Sequence, residues 1–196
     1  MDTQVVVQIF SWLTVGANVL LVGLIGAMVV AGNKSGMVVT QLVTGFRRWG
    51  LELSLVVALT ATGGSLIFSE VLGLPPCKLC WFQRIFMYPL VPILALAVGK
   101  KDKQVAEYVL VVAAIGAVIA GYHYALQLNP GLPTTCGTVG LSVSCTENFF
   151  LALGYITIPL MSLSAFLLIG ALMVAMLVEF KQESLLVRLR QKLASG

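Results

Sequence analysis

The chain has 196 residues, 59% of them hydrophobic and only 10% charged, with a formal net charge of +4. A soluble globule carries about 45–50% apolar and about 25% charged residues, so this composition excludes one and defines an integral membrane protein. The positive charge needs no nucleic-acid partner, because lysines and arginines between and after the apolar runs account for it.

Five apolar runs reach the roughly 20 residues that a bilayer crossing requires. They are Val5 to Ala31, Leu51 to Leu74, Phe82 to Val98, Val105 to Leu128 and Tyr155 to Val178. The third is the shortest and carries Pro89 and Pro92, which a membrane helix tolerates where its neighbours satisfy the freed carbonyls. Lys34, Arg47 and Arg48 follow the first run, Lys100, Lys101 and Lys103 the third, and Lys181, Arg188, Arg190 and Lys192 the fifth. An excess of Lys and Arg marks the cytoplasmic face, so the N-terminus is expected outside and the C-terminus in the cytoplasm. The start, Met1-Asp2-Thr3-Gln4, has no cationic side chain and lacks the basic n-region of a secretory signal. Met37 to Trp49, and the tail with Leu185, Leu186, Leu189 and Leu193 among its cations, read as basic amphipathic helices lying in the headgroup plane.

The two other cations, Lys78 and Arg84, belong to the segment that carries chemistry. Pro75-Pro76 leads into Cys77-Lys78-Leu79-Cys80 and then Trp81-Phe82-Gln83-Arg84. Proline suits the first helical position and disfavours helix in the residue before it. Cys77 and Cys80 are therefore expected in the opening turn of the third span, where unpaired N–H groups and a partial positive charge favour a thiolate. Arg84 lies one turn past Cys80 on the same face. It reads either as a functional charge, the default for an ionisable residue inside a membrane, or as an arginine snorkelling to the headgroups.

A vicinal thiol pair can close a disulfide or bind a metal. With the orientation above, this pair and the distant Cys136 and Cys145 all face outward, where disulfides persist. A zinc site built from the four thiolates is one rival, opposed by the oxidising exterior and by the Gln-Arg continuation; no metal is expected. A reductase exporting electrons from cytoplasmic thiols is another, but no thiol is left on the cytoplasmic side.

The Pro-Cys-X-Leu-Cys motif with Trp-Phe-Gln-Arg and Met-Tyr-Pro resembles the DsbB family of membrane disulfide-forming oxidoreductases, in particular its BdbC-like branch from Gram-positive bacteria. Gly121-Tyr122-His123-Tyr124-Ala125-Leu126-Gln127, and Val143-Ser144-Cys145 through Ile156-Thr157-Ile158-Pro159, continue the resemblance. Vitamin-K-epoxide-reductase-like enzymes do related chemistry, but their active Cys-X-X-Cys comes late in the chain.

The resemblance runs from about Leu51 to Val178. It implies an all-α membrane protein whose core, residues 51–180, is a four-helix transmembrane bundle. Residues 1–50 add an N-terminal transmembrane helix and an amphipathic cytoplasmic segment, and 181–196 form a basic tail. The implied activity lies in a prokaryotic cell membrane: reoxidation of a soluble extracytoplasmic thioredoxin-fold thiol oxidase of the DsbA or BdbD kind, with electrons passed to ubiquinone or menaquinone. The redox-active disulfides would be Cys77–Cys80 and Cys136–Cys145. Cys136 would meet the partner, Cys145 would attack Cys77, and Cys80 would face the quinone, with Arg84, His123 and Gln83 binding it. Closing the short ring between Cys136 and Cys145 costs little entropy, and a purely structural staple is the alternative there. For His123 the alternative is a histidine hydrogen-bonded inside the bundle.

Overall fold

The computed structural model describes residues 2–32, 48–129, 131, 136 and 144–194, and only the backbone of 31, 32 and 179–194. Among these residues six α-helices follow in order: α1 Thr3–Gly32, α2 Gly50–Leu66, α3 Lys78–Met87, α4 Leu90–Lys100, α5 Val105–Leu128 and α6 Ile158–Ala194. Among the described residues there is no strand, only an isolated antiparallel bridge between Ala152 and Ile156. The chain is all-helical. Most of the segment expected to be an amphipathic helix, residues 37–47, lies outside the described residues, as do the tail side chains and residues 137–143 between the second cysteine pair.

Among the described residues, five spans are long and apolar enough to cross a membrane: Thr3–Val30, Gly50–Val71, Lys78–Lys100, Val105–Leu128 and Ile158–Val178. The third begins four residues earlier than its apolar run, because a capped polar turn precedes the lipid-like stretch. It is made of α3 and α4. Pro92 has no N–H for the Tyr88 carbonyl, which instead accepts from the Val91 N–H at 3.2 Å. A tight turn thus joins the two halves, and the carbonyl freed by Pro92 is satisfied within the span itself rather than by a neighbouring helix.

The central helix is α6, which packs on α1, α2, α3 and α5. Along α5 the buried positions Ala106, Val109, Ala113, Gly116, Ala120 and His123 recur every three or four residues, one face of a helix. Small residues on that face let α6 approach closely. At Gly116 the ring of Phe166 occupies the space where a Cβ would stand. The same stripe, continued upward, carries His123 into the interior. Facing outward are Val22, Tyr108 and Val118, each more than 70% exposed. Such a continuous apolar exterior is stable in lipid and not in water.

Near the start of α1, Phe10 meets Phe68 near the end of α2, with ring centroids 5.4 Å apart. The two helices therefore run antiparallel. Phe68 lies in one π-helical turn, Ile67–Val71, that ends α2. Phe150 extends the contact, its centroid 5.6 Å from that of Phe68.

Candidate active site

The chain leaves α2 through Gly73, whose φ of 66° suits a residue without Cβ. It then enters α3 through Pro75-Pro76. Cys77 is the N-cap, with extended backbone (φ −74°, ψ 173°), and its Sγ accepts from the Cys80 N–H at 3.4 Å. The two sulfurs stand 3.0 Å apart as thiols. The opening-turn position expected from the sequence is thus the one observed. Cys77 lies just before the span, and its thiol is held well below the ordinary range. The hydrogen bond from the Cys80 thiol is the main cause, opposed by burial and reinforced by the hydrogen bond from His123. Arg84 is not among the groups acting on Cys77.

His123 is 2% exposed and stands behind the pair. Its Nδ1 is 2.9 Å from Gln83 Nε2, and its Nε2 is 3.6 Å from Cys77 Sγ and 3.1 Å from the Cys145 carbonyl oxygen. An amide nitrogen only donates, so with Gln83 oriented this way Nδ1 accepts and Nε2 carries the proton. That N–H points between the Cys77 sulfur and the Cys145 carbonyl, where it can stabilise a thiolate. Gln83, itself buried, is the positioning residue. On α3 the buried residues Leu79, Gln83 and Met87 form one face, and Cys80, Arg84 and Tyr88 form the next.

The second pair is joined as a disulfide, Cys136–Cys145, with Cα atoms 5.9 Å apart. Both cysteines share one buried cluster with Cys77, Leu79 and Leu126, and Cys80 packs at its edge. The two pairs, 59 residues apart between Cys77 and Cys136, therefore meet. Gln127 Nε2 donates to the Glu147 carbonyl at 3.1 Å and Tyr124 Oη to the Tyr155 carbonyl at 3.1 Å, tying the C-terminal end of α5 to the segment after Cys145. With Cys136 and Cys145 bonded to each other, a four-thiolate zinc set is not assembled in this structure. Among the described residues, the group with metal-ligand character is Cys77, Cys80 and His123, whose ligand atoms lie within 4.8 Å of one another.

On the other side of Cys80 a cavity of about 690 Å³ opens between α1, α2, α3 and α6. Its polar end is formed by Cys80, Gln83, Arg84 and Ser65. Arg84 is half-buried and tied across to α2: Nε donates to Ser65 Oγ and Nη2 to the Ser65 carbonyl, both at 2.9 Å. Tyr88 Oη donates to the same Oγ at 3.3 Å, and the guanidinium lies 5.2 Å from the Trp81 ring centroid. The guanidinium is thus held between α3 and α2. His123 does not line this cavity, whereas Cys80, Gln83 and Arg84 do. Ser65 is the site residue that sequence reading missed. Its cue in the sequence is a hydroxyl near the C-terminal end of an apolar helix.

A multi-pass helical bundle with a vicinal thiol pair, packed against a second disulfide at the edge of an apolar cavity, defines a membrane thiol–disulfide oxidoreductase. The sequence model described as "Disulfide bond formation protein DsbB" matches residues 46–176, and the chain belongs to that family. It is similar to "Disulfide bond formation protein C" of Bacillus subtilis, 48% identical over 119 residues that span 86% of that protein and 61% of this chain. To "Probable disulfide formation protein C 1" of Bacillus cereus it is 44% identical over 125 residues, 85% of that protein and 64% of this one. No solved structure matches the chain. It is a disulfide-forming oxidoreductase of the membrane; α1 lies outside the family match.

Proposed function

We propose that the protein reoxidises an extracytoplasmic thioredoxin-fold dithiol and delivers the two electrons to a membrane quinone. The observation that carries this reading is the division of the first pair. Cys77 is buried against Cys136 and Cys145, and Cys80 borders the cavity beside Arg84. In this reading Cys77 receives the electrons and Cys80 hands them on.

In this reaction the partner's thiolate attacks Cys136, opening Cys136–Cys145 and releasing the Cys145 thiolate. The partner's second thiol resolves the mixed disulfide, so the partner leaves oxidised and Cys136 and Cys145 are reduced. Cys145 then attacks Cys77 of the Cys77–Cys80 disulfide and frees Cys80 as thiolate. Cys136 attacks Cys145, restoring its own disulfide and freeing Cys77. His123 Nε2–H holds negative charge on Cys77 during the exchange, with Gln83 fixing the ring. A quinone takes up two electrons and two protons, which regenerates the Cys77–Cys80 disulfide. The polar end of the cavity fits such a ring: Arg84 supplies a fixed cation for charge developing on a carbonyl oxygen, and Gln83 a neighbouring amide. His123 is assigned to the thiol relay rather than to the ring, because both its nitrogens are engaged away from the cavity. The orientation that goes with this reading has the N-terminus and both cysteine pairs outside and the C-terminus in the cytoplasm, in line with the charge distribution.

The test is anaerobic quinone reduction by the purified protein with a reduced thioredoxin-fold oxidase as donor and each cysteine changed to serine in turn. All four changes abolish turnover if the reading holds. A Cys145→Ser variant whose Cys136 is first activated as a mixed disulfide accumulates a covalent complex with a partner lacking its own resolving cysteine, and Cys136→Ser forms none. Quinone reduction that survives loss of Cys80 would overturn the assignment.

A further inference from the structure

The cavity is longer than the chemistry at its polar end requires. On α1 its lining runs from Ile9 to Leu20, about 16 Å at 1.5 Å per residue. Its volume of about 690 Å³ lies within the range of sites that enclose a whole small molecule, roughly 300–1,000 Å³. Away from Cys80, Gln83, Arg84 and Ser65 the walls are dominated by apolar side chains, among them Leu13, Ala17, Leu20, Val57 and Leu168. Leu13, Leu20 and Val56 line the cavity and are also at least half exposed, so it opens sideways toward lipid. At the outer end Phe10 packs on Gly64, where a Cβ would come within 2.5 Å of its ring, and on Phe68. That aromatic contact joins α1 to α2 beside the redox pair. The shape is that of a site for a molecule with a polar head and a long apolar tail, entered from the bilayer.

We infer that α1, the helix outside the family match, forms the subsite for the isoprenoid tail of the quinone, with the ring at Cys80 and Arg84 and the tail running along Leu13, Gly16, Ala17 and Leu20. This rests on the quinone reading above and adds to it a specificity element that the four-helix core does not supply. Gly16 is the informative position. It lines the cavity, is exposed, and a Cβ built there meets nothing within 4 Å, so the backbone has open space beside it for a larger side chain. Replacing glycine within a helix also favours the helix.

The experiment measures quinone reduction by the full-length protein, with dithiothreitol as donor, using one quinone without a tail and one with a long isoprenoid tail. Gly16→Phe is expected to raise KM for the long-tailed quinone by about tenfold or more while leaving the tailless one within about twofold. Gly16→Ala, and Val22→Phe on the lipid-facing side, should change neither. A second readout needs no turnover: a quinone carrying a photoreactive group at its tail should label α1 between Ile9 and Leu20, mapped by peptide mass spectrometry. Equal effects on both quinones, or tail labelling confined to α2, α3 and α6, would overturn the inference. If quinones are reduced but Gly16→Phe is silent and α1 unlabelled, the quinone reading stands and the space along α1 belongs to lipid chains. If the wild-type protein reduces neither quinone, the quinone reading fails and this inference with it.

Discussion

Changing Ser65 to alanine removes the hydroxyl that accepts from Arg84 Nε at 2.9 Å and from Tyr88 Oη at 3.3 Å, but spares the carbonyl that accepts from Nη2. A hydrogen bond to a charged group contributes about 1.5–3 kcal/mol. Arg84 is half-buried, so solvent screening places this one at the lower end, about 1.5 kcal/mol. With the guanidinium no longer fixed beside Cys80, KM for quinone should rise about tenfold, and kcat should change less. Arg84→Ala removes the cation itself. Its cost should approach that of a lost oxyanion donor, about 2–4 kcal/mol, and fall mainly on turnover. The assay is steady-state quinone reduction with dithiothreitol as donor, which bypasses the second cysteine pair and the partner, together with the thermal midpoint of each variant. If both variants keep KM and kcat within about twofold of wild type, or if lost activity follows lost thermal stability, the Arg84–Ser65 contact is only a helix-to-helix tie and the acceptor-site reasoning fails.

Three further outcomes follow from the same geometry. Because the Cys77 thiol is lowered, its thiolate is present above its folded pKa and lost as pH falls through it. Ultraviolet thiolate absorbance of the reduced protein should therefore persist well below the ordinary thiol pKa of about 8.5, and His123→Ala should move the midpoint upward; an ordinary midpoint in the wild type would refute this. Reporter fusions after Lys101 and after Asn129 should read cytoplasmic and external respectively, and the reverse would place both cysteine pairs in a reducing compartment. Gly116→Ala should destabilise the bundle by about 1–3 kcal/mol through overpacking against Phe166, measured by thermal unfolding in detergent, with no selective effect on quinone KM.

The parts of this molecule legible in its sequence are those set by local chemistry. Five spans follow from apolar length alone, and the helix start at the Cys77–Cys80 pair from Pro75-Pro76 before it. The small-residue stripe of α5 can be counted off its helical period. Contacts between distant elements were not legible. His123 reads as a quinone ligand or a core histidine until the fold brings Gln83 from α3 to one nitrogen and the Cys145 carbonyl to the other. Ser65 carries no motif, and its importance arises only where α2 faces Arg84. The lateral packing of α1 is hidden for a further reason. Hydropathy reports that a helix enters lipid, but lipid and protein neighbours are equally apolar, so the pattern cannot tell which face of α1 borders a cavity.

The central claim, that electrons pass from the second cysteine pair into the first through Cys145 and Cys77, is tested most directly in the full chain carrying both Cys80→Ser and Cys136→Ser. Each remaining cysteine has then lost its own partner. Mild oxidation followed by mass spectrometry of the non-reduced peptides should find an intramolecular Cys77–Cys145 disulfide in most molecules, removed by dithiothreitol. If both thiols stay free, or are joined only between separate chains, the two pairs do not exchange and the route proposed here is wrong.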